Sequence, residues 1–232
     1  MLKAIIFDFN GVILDDEEYH YLALKQVLEE EGVRITREEY YRDCLGFGDV
    51  ECFEWGLGDE SEIRRAGGMA ALLGRKSLYY EELLNQETRF FPGVREFIRE
   101  AAEDSILAVA SMALRREIDL ALRAAGLSSL FSVIVSAEDV SKPKPDPEVY
   151  LKALAGLNQL LSSQGTAQQI LPAECLVIED SVPGIRSARA AGMRVVGLVH
   201  TVGADQLEEA DHVLPSLLGI SPAQLGSLLP EP

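Results

Sequence analysis

The chain of 232 residues predicts an α/β fold, a doubly wound parallel sheet interrupted by an inserted α-helical domain. Three observations carry that expectation. Short continuous apolar runs recur along the sequence, as strands buried on both faces require. Helical stretches separate several of these runs, which is the alternation of a parallel sheet. Residues 16–88 break the alternation, with helical patterning and no convincing strand.

The first run is Ala4-Ile5-Ile6-Phe7, and it ends at Asp8. Residues 16–31 follow as a charged helix with apolar positions Tyr19, Leu22, Ala23, Val27 and Leu28. Further helices are expected at 36–44, 60–73 and 75–88. The segment 46–58 carries Gly46, Gly48, Gly56 and Gly58 and reads as a loop or a broken helix. The expected division is a core of residues 1–15 and 89–232, with a helical cap at 16–88. In the core, strands are expected at 106–110, 133–135, 176–178 and 195–199. A helix at 113–125 stops at Gly126, a left-handed C′ residue. Asp146-Pro147 places a cap before a proline at the first helical position and starts a helix through Leu154. Residues 183–191 form a helix between Ser181 and Gly192. The Gln- and Ser-rich residues 158–170 read as an elongated surface connection.

Composition narrows the function. Lys and Arg number 21 against 38 Asp and Glu, a net charge of −17. That balance weighs against nucleic acid and anionic membranes, polyanions that need a basic face. No run approaches the roughly 18 apolar residues of a membrane span, and residues 1–7 are too short for a secretory apolar region. Cys44, Cys52 and Cys175 are odd in number and lack C-x-x-C spacing, as free thiols in a reducing cytoplasm would be.

Four polar sites lie just after apolar runs: Asp8, Ser111, Lys142 and the pair Glu179-Asp180. In an open parallel sheet, ligands bind at the carboxyl ends of the strands, so these sites are expected to converge. A carboxylate ending a buried strand is costly unless paired or metal-bound. It can serve as a nucleophile or a metal ligand, and Gly11 permits the tight turn beyond it. Consecutive carboxylates at 179 and 180 suit a hard cation such as Mg²⁺. Prolines 143, 145 and 147 stiffen the loop that holds Lys142, whose charge can meet a phosphate or a carboxylate. Ser111 is expected to open a helix whose amides hold phosphate oxygens.

These motifs, in this order, resemble the haloacid dehalogenase superfamily of aspartate-nucleophile phosphatases. Within it they resemble the helical-cap branch (subfamily I) that includes β-phosphoglucomutase and phosphoglycolate phosphatase. The resemblance spans nearly the whole chain and implies a Rossmann-like core, Mg²⁺ as cofactor and a small phosphorylated metabolite as substrate. Asp8 would be the nucleophile, forming an aspartyl-phosphate. Ser111 would bind the phosphoryl group and Lys142 would stabilise charge on both. Asp180 and the Asn10 backbone carbonyl would ligate Mg²⁺, with Glu179 in support. Lys144 holds the variable position of the Lys-Pro-x-Pro-Asp pattern and is expected to face solvent. His20 and Lys76 match cap positions that can face substrate.

One position departs from the pattern. The family's second Asp, the general acid and base, is Asn10 here. A carboxamide keeps the carbonyl ligand but not the proton transfer, which is worth about 10²–10⁴-fold. The expectation is a Mg²⁺-dependent phosphomonoester hydrolase with impaired acid–base catalysis, as a monomer or homodimer. The alternatives are a nearly inactive phospholigand binder and a phosphomutase. Asp49 and Leu114 stand where β-phosphoglucomutase carries cations for a second phosphate, which weighs against the mutase.

Overall fold

In a computed structural model, which describes residues 2–45 and 47–228, the first apolar run is β1 (Ala4–Phe7). The insertion is α1 (Glu17–Glu30), α2 (Arg37–Asp43), α3 (Asp49–Leu57), α4 (Glu60–Arg65) and α5 (Met69–Gln86). There follow α6 (Val94–Asp104), β2 (Ile106–Ala110), α7 (Arg115–Ala125), β3 (Phe131–Val135) and α8 (Glu148–Ser163). The chain closes with β4 (Cys175–Glu179), α9 (Val182–Ala190), β5 (Arg194–Leu198), β6 (His212–Leu214) and α10 (Pro222–Leu228). Two compact units result: Met1–Asp15 with Arg89–Pro232, and Asp16–Thr88. Within the first unit the Asp15 amide donates to the Arg89 carbonyl at 2.9 Å, so the two ends of the insertion leave from one point.

The six strands are parallel in the order β3-β2-β1-β4-β5-β6. Sequence order reverses at β1, which lies between β2 and β4, so this is where the loops diverge and leave room for a ligand. Side chains alternate between two buried faces. Ala4 and Ile6 join Val177, Val149, Tyr150 and Ala153 in one cluster. On the other face Phe7 meets Phe97 and Phe131 edge-on at 6.1 and 5.8 Å. The second unit has its own core, in which Leu24, Val27 and Leu28 of α1 meet Phe53 and Leu72.

Several expected elements shift. The strands at 133–135, 176–178 and 195–199 are longer or displaced by a residue or two, and the short edge strand β6 was not anticipated. The glycine-rich 46–58 is helical over α3, with Phe53 buried and Trp55 partly exposed; Gly46 lies outside the described residues. Gly56 sits inside that helix because a Cβ there would lie 2.8 Å from Leu28. The expected break near residue 74 is absent, since α5 runs through it. Helix α8 continues to Ser163, well into the expected connection, because Leu157 extends its buried stripe. Among the described residues no helix is long and apolar enough to cross a membrane.

Candidate active site

The site grows from the register of β1 on β4. Phe7 pairs with Ile178, and the Asp8 amide donates to the Ile178 carbonyl at 3.0 Å. Asp8 and Glu179 therefore end adjacent strands on the face already set by Ile6 and Val177. Asp8, Glu179 and Asp180 are buried, and each can bring a carboxylate oxygen within 4.8 Å of the others.

Glu179 is the most completely bonded of the three. Its Oε1 accepts from Lys144 Nζ at 2.6 Å and from the Tyr150 hydroxyl at 2.8 Å. Its Oε2 accepts from the amides of Asp180 and Ser181 at 3.0 Å and from the Ser181 hydroxyl at 2.9 Å. Gly184 in the first turn of α9 makes room, since a Cβ there would stand 1.7 Å from Oε1. Asp8 Oδ1 lies 2.9 Å from Lys144 Nζ, but no donor is aligned on it as a hydrogen bond. Asp180 Oδ2 accepts from the Thr201 hydroxyl and packs against Gly11, whose φ of +75° only glycine adopts readily.

Lys144, not Lys142, supplies the cation. Its side chain is 8% exposed and lies 5.0 Å from the centre of the Tyr150 ring. Lys142 is 70% exposed, with Nζ 3.4 Å from Asp146 and its amide bonded to Glu148. A turn closed by the Asp146 amide on the Pro143 carbonyl has Lys144 at its centre. The expectation that Lys144 faces solvent is thus corrected. Two lysines alternate with prolines in that loop, and both fit the sequence pattern; only packing on Tyr150 separates them.

Ser111 follows β2, which neighbours β1, so it lies at the same sheet edge as Asp8. It is buried, its amide donates to Val135, and its hydroxyl accepts from the Ala113 amide at 3.2 Å. The helix expected to open there begins four residues later, at Arg115. Its first amides already have partners: Leu114 on Glu117 and Arg115 on Glu138. The phosphate-holding helix N-terminus expected beside Ser111 is therefore corrected to a loop. Asn10 is half-buried and bridges to Leu14.

Burial dominates the electrostatics. It pushes the Asp8 carboxyl up to about 6 despite the opposing Lys144 charge. Asp180 is raised well above the carboxylate range by burial and by Glu179 and Asp8. Burial works against Glu179 as well, but the Lys144 ammonium and the surrounding donors outweigh it, and its pKa falls. Lys144 is held protonated because Asp8 and Glu179 overcome its own desolvation. One ammonium thus faces three carboxylates. That deficit, together with the undonated Asp8 Oδ1, fits a hard divalent cation.

In the second unit, His20 and Lys76 are brought together. Lys76 Nζ lies 2.7 Å from His20 Nδ1 and donates to Asp49. His20 Nε2 is 3.2 Å from Asp16 Oδ2, which also accepts from the Tyr80 hydroxyl. Lys76, expected at a position that can face substrate, is buried on these partners. Burial and Lys76 oppose protonation of His20, yet the two carboxylates prevail and raise its pKa.

Sequence reasoning missed Lys144, Tyr150 and Thr201. For Thr201 a signal existed. His200-Thr201 are the polar residues just after an apolar run, the same rule that singled out Asp8.

Comparison with known proteins shows the chain's family. Residues 5–198 match the family described as haloacid dehalogenase-like hydrolase. The chain is 32% identical over 205 residues to a phosphorylated carbohydrates phosphatase of Thermotoga maritima, covering 87% of each chain. It is 30% identical over 211 residues to the β-phosphoglucomutase of Bacillus subtilis, covering 85% of this chain and 83% of that one. A crystal structure of CbbY from Rhodobacter sphaeroides in complex with phosphate superposes with a TM-score of 0.78 and 26% identity, over 97% of this chain and 100% of that one.

Proposed function

The chain belongs to the haloacid dehalogenase-like hydrolases, and on that premise we propose that it is a Mg²⁺-dependent hydrolase of small phosphomonoesters working through Asp8. The observation that carries this reading is the buried Asp8 at the carboxyl edge of the sheet, 2.9 Å from Lys144 and beside Asp180. Phosphate and phosphorylated carbohydrate in the names of its relatives agree with it. Free, buried thiols at all three cysteines agree with a reducing cytoplasm.

Asp8, the Asn10 carbonyl and Asp180 would hold Mg²⁺, with Glu179 holding Lys144 and the Asp180 backbone in place. The ion supplies positive charge against the phosphoryl oxygens. The residues do the rest. An Asp8 carboxylate oxygen attacks phosphorus as the bond to the leaving oxygen breaks, and Lys144 meets the charge that develops on both partners. Ser111 offers its hydroxyl to a phosphoryl oxygen. Water then attacks the aspartyl-phosphate, releasing phosphate and restoring Asp8. The leaving oxygen must gain a proton and the attacking water must lose one, and Asn10 can move neither; a good leaving group relieves only the first step, so turnover is slow.

Asn10 also favours a second reading, in which the protein captures a phosphorylated ligand and barely turns over. A mutase is disfavoured because Asp49 carries the wrong charge for a second phosphate and is bonded to Lys76. An assay of Mg²⁺-dependent phosphate release over a small phosphomonoester panel separates these. Native turnover that Asn10→Asp raises about 10²–10⁴-fold supports the hydrolase. Turnover only in Asn10→Asp supports the binder. Undiminished activity in Asp8→Ala removes Asp8 as nucleophile.

A further inference from the structure

The loop after β5 sends two neighbouring side chains into this arrangement, and the proposed chemistry uses neither directly. Thr201 donates its hydroxyl to Asp180 Oδ2. His200 Nδ1 lies 2.7 Å from the Gly11 carbonyl, which can only accept, so the ring carries its proton on Nδ1. The ring stacks on Phe91 with centroids 3.8 Å apart and planes 9° from parallel, which fixes its orientation. Gly11 itself presses on Asp180: a Cβ there would stand 1.9 Å from Oδ2. Two consecutive residues thus hold both members of one contact, the turn after the nucleophile and the carboxylate beside it.

Resting on the reading of Asp8, Asn10 and Asp180 as a magnesium site, we infer that His200 and Thr201 are positioning residues for that site. Thr201 donates to Oδ2 of Asp180 and so holds that carboxylate in one rotamer. His200 fixes the turn whose preceding residue presents the Asn10 carbonyl. A carboxylate free to rotate and a turn free to open would each lose orientation before any ion arrived. Groups that orient ligands in this way change metal affinity when removed.

The test is calorimetric titration of Mg²⁺ into the full chain. Thr201→Val keeps the shape and deletes the hydroxyl, and is expected to weaken binding by about 10–100-fold. Thr201→Ser keeps the hydroxyl and is expected to bind close to the native value. His200→Phe keeps the stack on Phe91 and loses the donor, and is expected to weaken binding in the same direction. Asp180→Asn is the control. If the native chain binds, Asp180→Asn does not, and both Thr201→Val and His200→Phe bind as tightly as native, the inference is overturned and the metal site stands. A lower melting temperature in both variants with both affinities unchanged overturns it equally, since that is a merely structural role. If native and Asp180→Asn bind alike, or neither binds, the metal reading itself fails and takes the inference with it.

Discussion

Lys142 and Lys144 are two residues apart and occupy opposite environments, so they make a sharp pair of variants. Lys144→Ala is expected to lower kcat about 10²–10³-fold, the scale of losing one preorganised charge. Lys142→Ala should stay near the native rate in the same phosphate-release assay. Had the roles been as the motif alone suggests, the order would reverse. The alternation Lys-Pro-Lys-Pro shows a lysine on a stiff loop but not which one turns inward, because that depends on the Tyr150 ring and the Glu179 carboxylate waiting there. Gly11 was legible, since a strand that ends in a carboxylate and turns sharply needs a residue without a Cβ. Gly11→Ala meets a left-handed backbone worth about 1–2 kcal/mol and also displaces Asp180. A lower melting temperature together with weaker Mg²⁺ binding is the expected result.

At the level of elements, alternating apolar runs revealed the sheet because both faces are buried, and the helices on either side of it announced themselves by caps. Ser181 accepts from the Gly184 amide at 3.1 Å, and Gly126 ends α7 in the left-handed region. What stayed hidden had weak local signals. The three residues of β6 cannot show a period. The glycines around α3 read as breakers, although Gly56 serves packing against Leu28. The join of α1 to α5 was legible only in part: His20 and Lys76 stood out by resemblance, but nothing in the sequence showed that they meet each other, Asp16 and Asp49. The raised His20 pKa predicts that this join depends on pH. A histidine whose pKa is raised on folding stabilises the fold fully below its unfolded value near 6.5, and the benefit fades as pH rises through the folded value. The difference in melting temperature between native and His20→Gln should therefore be widest below the unfolded value near 6.5 and shrink as pH rises above it. A constant gap would mean that His20 contributes by packing alone.

Across the whole molecule, the insertion leaves and returns where the Asp15 amide meets the Arg89 carbonyl. Replacing 16–88 by a short Gly-Ser linker is expected to leave the first unit folded, with a cooperative melt by circular dichroism, since the sheet and its helices lie outside the deletion. The net charge of −17 argued against polyanionic partners and was silent about the site, where three carboxylates face one ammonium. That local excess of negative charge reaches beyond catalysis. A folded chain that crowds carboxylates together works against itself until a cation arrives, whereas the unfolded chain lets them drift apart. On the proposed site, Mg²⁺ is then a ligand of the fold, adding roughly 2.7 kcal/mol at a hundredfold excess over Kd. Melting temperature should climb with the logarithm of Mg²⁺ concentration, and Asp180→Asn should start higher and climb less. On that reading, stability falls as the ion is diluted even while the site is still mostly filled.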